Sequence, residues 1–486
     1  MLQFLWVFYF ASVVSCDILK NQDSNQWYKD GVNLIQHKLK VKPNTKTAKN
    51  AILFMGDGMG ITTVTAACIL DGQLKGKTGE ENVLSWEELP WTALAKTYAV
   101  DQQGPDSASS ATAFLTGVKT DQGVIGMDER VEWGYFSSAS KEREVVSILS
   151  LAEMAGMSTG FVSTARATHA SPACSYAHSV DRRWESDADK KRKAYDDPSA
   201  CKDIVGLCGR ILTSVGGGRR EFMHQNQTDP EYPDKKGERL DGRDLIKEWV
   251  DKHPNSQYVW DKTGFDKIDA ENVDHMIGGR IDHGHHDGQA VRALHDTVAM
   301  NKAVSKATDM INLDETLLTV TADHSHVFTV GGYPKRGNPI FGLVRHVNGK
   351  LAVDSNNKTY TSLGYANGRG GLNGSRPDLR RVDTADKDYF KQATVLKDYE
   401  THGSEDVGVY ADGPGAYLFH GVVEQQYVFH VIDHALCLSS SKQQSCDRHV
   451  TRGGREVKNT AYLTSAPSLH LLMVMVACWI AAFTQC

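Results

Sequence analysis

At 486 residues and 53.6 kDa, the chain is three times the usual single-domain size, so it is either several domains or one large α/β body with insertions. Hydrophobic content of 40% with 23% charged residues excludes low-complexity disorder and a polytopic membrane protein. The 54 basic residues against 60 acidic ones give a net charge of −6 without a basic block. That balance excludes an electrostatic nucleic-acid footprint and leaves small anions as ligands, provided metals or a few placed arginines supply positive charge.

The chain opens on an apolar run, MLQFLWVFYFASVV, followed by small residues, which predicts a secretory signal over residues 1–15. The alternative is a buried N-terminal segment, disfavoured by the charged stretch that follows at once. The first apolar run of the body, NAILFMG at 50–56, predicts a parallel strand buried on both faces and ends in Gly56, Asp57, Gly58, Met59, Gly60. A carboxylate at a strand end suits a metal, and the glycines let the backbone approach closely, although a lone Asp there is as often a cap. In GPDSASSATAFLTG, Pro105 and Asp106 stop the chain and small residues open a helix whose first amides favour an anion beside Ser107. Ser107 is the candidate nucleophile, with a plain Asp or Ser cap as the alternative; a serine hydroxyl reacts only when a metal or base activates it.

Further along, Glu144 to Ala155 predicts a helix and STGFVST at 158–164 a strand. Asn226, Asn357 and Asn373 each open an Asn-x-Ser/Thr sequon. The densest chemical signal is GGRIDHGHH at 278–286, where three of the 19 histidines fall within four residues. If a helix begins here, Asp282 and His286 share a face and can grip one ion; a histidine-rich surface loop is the alternative. Ala290 to Met310 predicts a helix, and TLLTVTA at 316–322 predicts a second buried strand, ending in Asp323, His324, Ser325, His326. Two strands ending in such residues favour ligands over caps. Residues 345–400, rich in Gly, Asn, Arg and Asp, read as a loop-rich surface insertion. Together these runs predict a doubly wound α/β fold, a large mostly parallel sheet with helices on both faces.

Near the end, Cys437 and Cys446 flank a polar loop and form the most plausible disulfide; Cys201 and Cys208 are a second candidate pair. Leu469 to Phe483 is an apolar tail short for a membrane span, preceded by a spacer and by Asn459, Thr460 and Ala461. This is the arrangement of a glycolipid (GPI) attachment signal, with Asn459 as the anchored residue and 460–486 removed; a tail anchor or core helix is the alternative. Both end signals place the body, residues 16–459, on the extracellular face of the plasma membrane.

The segments FMGDGMG, PDSASSATA, HASPACSYAHSVDRRW, GGRIDHGHH, TADHSH and ETHGSEDV, in this order, resemble those of animal membrane-anchored alkaline phosphatases. The resemblance runs from about residue 27 to 450. It implies a homodimer that hydrolyses phosphate monoesters through a phosphoserine, with two zinc ions and one magnesium per subunit. Residue by residue, it implies that Asp282, His286 and His402 hold one zinc, and Asp57, Asp323 and His324 the second, beside Ser107. Asp57 and Ser171 would touch magnesium, His169 and His326 would stand behind the ligands, and Arg182 would grip two phosphate oxygens. The pattern departs in one place: the zinc motif follows Ile277, where the family has an apolar strand ending in a magnesium-binding glutamate. A segment on the order of fifty residues, about one βα unit with a loop, is absent before Gly278. Most of the family's calcium site goes with it, leaving Glu231, so magnesium would lack its glutamate ligand and calcium is not expected. Two further readings compete: an inactive glycolipid-anchored surface or binding protein, and a phosphodiesterase- or sulfatase-like relative.

Overall fold

The computed structural model describes residues 21–189, 213–252, 258 and 282–439. The apolar run at 50–56 forms β1 (Asn50–Gly56), which pairs in parallel with β5 (Thr316–Ala322) along its whole length. β5 then pairs with β11 (Val407–Asp412), which pairs with β2 (Trp91–Lys96), and β12 (Gly421–Glu424) closes the order. β11 is antiparallel to both its neighbours, whereas β12 is parallel to β2, so four of the five strands run one way and β11 alone is reversed. Every residue of β5 is buried; because alternate side chains point to opposite faces, both faces of the sheet are covered.

α3 (Ser107–Thr116) and α9 (Tyr427–Leu436) pack Phe114, Leu115, Val428, Val431 and Ile432 into one core with Leu317, Leu318 and Val320 of β5. A second core joins Ala66, Ala67 and Leu70 of α2 (Ile61–Leu74) to Ala290, Leu294 and Val298 of α8 (Ala290–Met310). α4 covers Ile148–Met154, shorter than its expected span, because Ser147 caps it, its hydroxyl accepting from the Ser150 amide. β3 (Gly160–Arg166) and β4 (Thr213–Gly217) form a separate parallel pair.

β1 ends the strand order. Among the described residues it pairs with β5 alone, and Ala51 to Met55 are half-buried although the run is apolar throughout. Among the described residues, a sequence suited to the middle of a sheet thus lies at its edge.

The segment at 345–400 is largely irregular, but it is more than a surface loop. It contributes β8 (Leu363–Gly368) and β9 (Ala393–Leu396), which with β7 (Phe328–Val330) make a three-stranded sheet. Leu363 and Tyr365 join the second core, and Lys391 and Glu400 are fully buried.

Of the described residues, 21–44 belong to a unit of their own, whose helix α1 (Gln26–Lys38) has no buried residue and exposes Trp27, Leu34 and Ile35. Among the described residues no helix is long and apolar enough to cross a membrane. The expected signal, Cys201, Cys208, Cys446, Asn459 and the C-terminal tail all lie outside them. Cys437, in a left-handed conformation after α9, is disulfide-bonded, whereas Cys68 and Cys174 are buried free thiols.

Candidate metal centre

Parallel pairing of β1 with β5 sets Gly56 opposite Ala322, so the residues that follow, Asp57 and Asp323, leave the sheet side by side at its carboxyl end. The two-residue strand β6 (Ser325–His326) then pairs with β10 (His402–Gly403), placing His402 opposite His326. α7 (Asp282–His286) is a single helical turn whose first and last residues share a face. Ser107 opens α3, behind the cap Asp106. Gly58 makes the crowding feasible. It has φ +73°, its amide donates to Asp323 Oδ1 at 2.9 Å, and a Cβ there would lie 2.3 Å from His326 Nε2.

Hydrogen bonding fixes the tautomers. His286 Nδ1 faces the Glu400 carbonyl at 2.7 Å, His402 Nδ1 the Pro105 carbonyl at 2.9 Å, and His324 Nδ1 the Ser325 carbonyl at 3.1 Å. A carbonyl oxygen only accepts, so each Nδ1 carries a hydrogen, and in the neutral ring each Nε2 is a lone pair open to a metal. The bare Nε2 atoms of His286 and His402 face one another at 3.1 Å, and Asp282 Oδ1 lies 3.2 and 3.7 Å from them. With both rings neutral, three acceptors at such separations repel unless a proton or a metal cation lies among them. Tetrahedral zinc with ligands at 2.0–2.1 Å sets neighbouring ligand atoms roughly 3.3 Å apart, so these residues fit the ion.

A second set has the same spacing. His324 Nε2 lies 3.4 Å from Asp57 Oδ1, 3.4 Å from Asp323 Oδ2 and 3.1 Å from Ser107 Oγ, which in turn is 3.4 Å from Asp57 Oδ1. Asp323 Oδ2 is buried without a hydrogen-bond partner among the described residues. Two carboxylates and an imidazole therefore stand at zinc-ligand spacing around His324 Nε2 with the hydroxyl of Ser107 beside them, and a ligand atom of Asp282 lies within 4.8 Å of those of Asp57 and His324. The rings of His324 and His402 stack at 3.5 Å between centroids, so the two sets adjoin.

Burial and the neighbouring carboxylates of Asp323 and Asp282 hold the Asp57 carboxyl well above its ordinary range, and burial raises Asp323 to about 6. Burial also opposes ionisation of Asp282, yet the His326 hydrogen bond and the surrounding imidazoles outweigh it and hold that carboxyl well below its usual range. Burial keeps His324, at about 4, and His402 neutral at physiological pH. A raised carboxyl pKa means that the folded metal-free chain holds its proton up to about pH 6, where an unfolded carboxyl releases it near 3.8. The stability this lends is present below 3.8 and lost as pH rises through 6. Zinc takes the ionised form, so the second site is expected to lose affinity about tenfold per pH unit below pH 6 for each proton displaced. Zinc competition titrations between pH 5 and 8 check this; a flat profile would contradict it.

Arg182 Nη1 donates to Asp106 Oδ2 at 2.8 Å and Nη2 faces His169 Nε2 at 3.3 Å. The guanidinium is thereby fixed near the start of α3, and His169 Nε2 must be the acceptor. His169 Nδ1 and Ser171 Oγ are buried without partners among the described residues, as expected of groups beside a missing ligand. Glu231 is in none of the ligand groups among the described residues; its carboxylate accepts from Arg219 at 2.9 Å, which also binds Asp229. Asn226, Asn357 and Asn373 are exposed.

Three functional features escape sequence reasoning. Asp106 caps α3 and also anchors Arg182. His285 is fully buried, bridging Thr63 Oγ1 at 3.1 Å and the Tyr365 hydroxyl at 2.9 Å, so both its nitrogens are engaged away from metal. Glu400 underlies two site histidines, and only its place two residues before His402 hints at it.

The sequence model of a family described as alkaline phosphatase matches residues 48–278 and 275–438, in two stretches that meet just before the zinc motif. The tissue-nonspecific isozyme of alkaline phosphatase from Rattus norvegicus is 40% identical over 480 residues, covering 87% of this chain and 90% of its own. An alkaline phosphatase from Gadus morhua is 39% identical over 455 residues, covering 82% and 94%. The solved alkaline phosphatase of the Antarctic bacterium TAB5 shares the fold with a TM-score of 0.53 at 20% identity, over 81% of this chain and 99% of that one. That of Thermus thermophilus gives 0.55 at 18%, over 82% and 93%.

Proposed function

The chain belongs to the alkaline phosphatase family, and from that premise, joined to the geometry of the metal centre, we propose how its residues divide the work. The activity is hydrolysis of phosphate monoesters to an alcohol and inorganic phosphate. Zinc and magnesium are the family's metals, and the ligand spacing described above is the observation that carries the assignment. Asp282, His286 and His402 hold one zinc; Asp57, Asp323 and His324 hold the other beside Ser107. When bound, these ions supply Lewis-acid stabilisation of charge building on the attacking and departing oxygens.

Ser107 Oγ gives up its proton and attacks phosphorus, forming the serine–phosphate bond while the ester P–O bond breaks and the alcohol oxygen departs to take a proton. Water then attacks the same phosphorus, the Ser107–phosphorus bond breaks, and inorganic phosphate leaves. The start of α3 turns its free amides toward the anion. Arg182, fixed by Asp106, offers its remaining N–H groups as a planar fork for two phosphate oxygens, a match lysine lacks. Ser107, Arg182 and the His169–Ser171 segment favour a monoesterase over a phosphodiesterase or sulfatase. The test is the rate on p-nitrophenyl phosphate against bis(p-nitrophenyl) phosphate: the monoester reacts faster in this account, and preference for the diester overturns it.

The chain lacks a segment that its relatives carry before Gly278. The family match breaks at 275–278. In the Rattus norvegicus comparison, 87% of 486 residues is about 423, so about 57 of the 480 aligned positions have no residue here. The half-buried edge position of β1 supports the same reading. With it goes the glutamate that would join Asp57 and Ser171 around magnesium, so magnesium is held weakly and turnover is low.

The mature protein is a glycolipid-anchored homodimer on the outer cell surface, glycosylated at Asn226, Asn357 and Asn373, with Cys437 bridged to Cys446. The exposed apolar side chains of α1 support a second copy, and the bonded state of Cys437 supports the bridge. A phosphatidylinositol-specific phospholipase is expected to release the protein from cells; retention on the membrane would contradict the anchor.

A further inference from the structure

Glu400 has no exposed surface, and each of its polar atoms is engaged with the metal centre's supports. Its Oε2 lies 2.5 Å from His326 Nδ1, and its Oε1 accepts from the Val327 amide at 2.7 Å. Its main-chain carbonyl faces His286 Nδ1 at 2.7 Å, and its amide donates to the His286 carbonyl at 2.9 Å. His326, also buried, turns its other nitrogen to Asp282 Oδ1 at 3.1 Å. Glu400, His326 and Asp282 therefore form one carboxylate–imidazole–carboxylate row, and its last member bears on the same ligand set as His286 and His402. The row is boxed in: His285 stacks on His326 at 4.7 Å, and the backbone of Gly368, at φ +130°, packs where a Cβ would lie 3.1 Å from Glu400 Cβ.

We propose that Glu400 is a positioning residue for this centre, steering Asp282 through the His326 ring and His286 through its own carbonyl, so that both present their free atoms to one ion. The main-chain bond survives any substitution, but the carboxylate does not. Without it His326 loses its anchor at Nδ1, and Asp282 loses the ring orientation that fixes its Oδ1. Partners standing behind metal ligands in this way set ligand orientation and cost about 10- to 100-fold in affinity or activity when removed. The inference rests on the phosphatase reading only for the identity of the ion.

Two measurements test it. Zinc affinity by competition titration, together with the visible spectrum of the cobalt(II)-loaded protein, is compared between the parent chain and Glu400→Gln, which keeps the side-chain size. A loss of about 10- to 100-fold at one of the two sites, with a shifted cobalt band, is expected; equal affinity and an unchanged spectrum would overturn the proposal. The second needs no variant. ¹⁵N-histidine NMR of the unsubstituted protein is expected to show His326 carrying hydrogen at Nδ1, and a bare Nδ1 there would overturn the proposal. Neither readout uses turnover, so their failure leaves the phosphatase reading standing, whereas a parent chain lacking phosphatase activity would count against that reading alone.

Discussion

Ser107→Ala is expected to lower phosphate monoester turnover on the order of 10³-fold or more relative to the parent chain, without unfolding it. The hydroxyl is 3.1 Å from His324 Nε2 and 3.4 Å from Asp57 Oδ1, and it is the sole non-ligand group in that set. Alanine is an excellent residue for the first turn of a helix, and the cap of α3 resides in Asp106 and Ser109, so the substitution leaves the helix start intact. Zinc content should therefore stay within a factor of two while the covalent intermediate vanishes. Acid-quenched labelling with ³²P-phosphate reads this directly: label on Ser107 in the parent and none in the variant is the expected pair. A variant that turns over at the parent's rate would remove Ser107 from the mechanism.

The second large effect concerns the sheet. Inserting the aligned stretch of the Rattus norvegicus relative between Ile277 and Gly278 is expected to raise both stability and turnover. β1 presents Ala51 to Met55 half-buried at the edge of the sheet, although its composition is that of an interior strand. Covering these five side chains is worth several kcal/mol at about 25 cal/mol per Å² of apolar surface. At 2–4 °C per kcal/mol for a domain of 150–250 residues, and less for a longer chain, the midpoint should rise by a few degrees. Restoring the glutamate to the orphaned Ser171 and His169 should raise turnover by about 10- to 100-fold and make it magnesium-dependent. A chimera no more stable and no more active than the parent would show that the segment is dispensable.

What could be read from the sequence was what is local. Asp57, Asp323 and His324 stand directly after apolar strands, and Asp282 and His286 are one helical turn apart, so strand-end and helical spacing point to each set. Ser107 looks like a cap because the first helical residue behind one is common, and its role emerges only beside His324. His402 was an ordinary histidine until the β6–β10 pairing set it against His326, a contact no periodicity encodes. Glu400, His285 and the second role of Asp106 depend on partners far along the chain, and kinship rather than pattern pointed to Arg182. The stretch at 345–400 read as surface because polar residues and glycines dominate it, yet it sends Tyr365, Lys391 and Glu400 inward, each polar end hydrogen-bonded. Strand order was equally hidden: β1 pairs with β5 across most of the chain, and β11 reverses direction between β5 and β2.

The central claim is that two ligand sets converge on two zinc ions against one hydroxyl. Zinc per chain by inductively coupled plasma mass spectrometry, after dialysis to constant content, tests it in the parent, in His286→Ala and in Asp323→Ala. The account predicts two zinc ions in the parent and one in each variant. Fewer than one in the parent, or two in both variants, would contradict it.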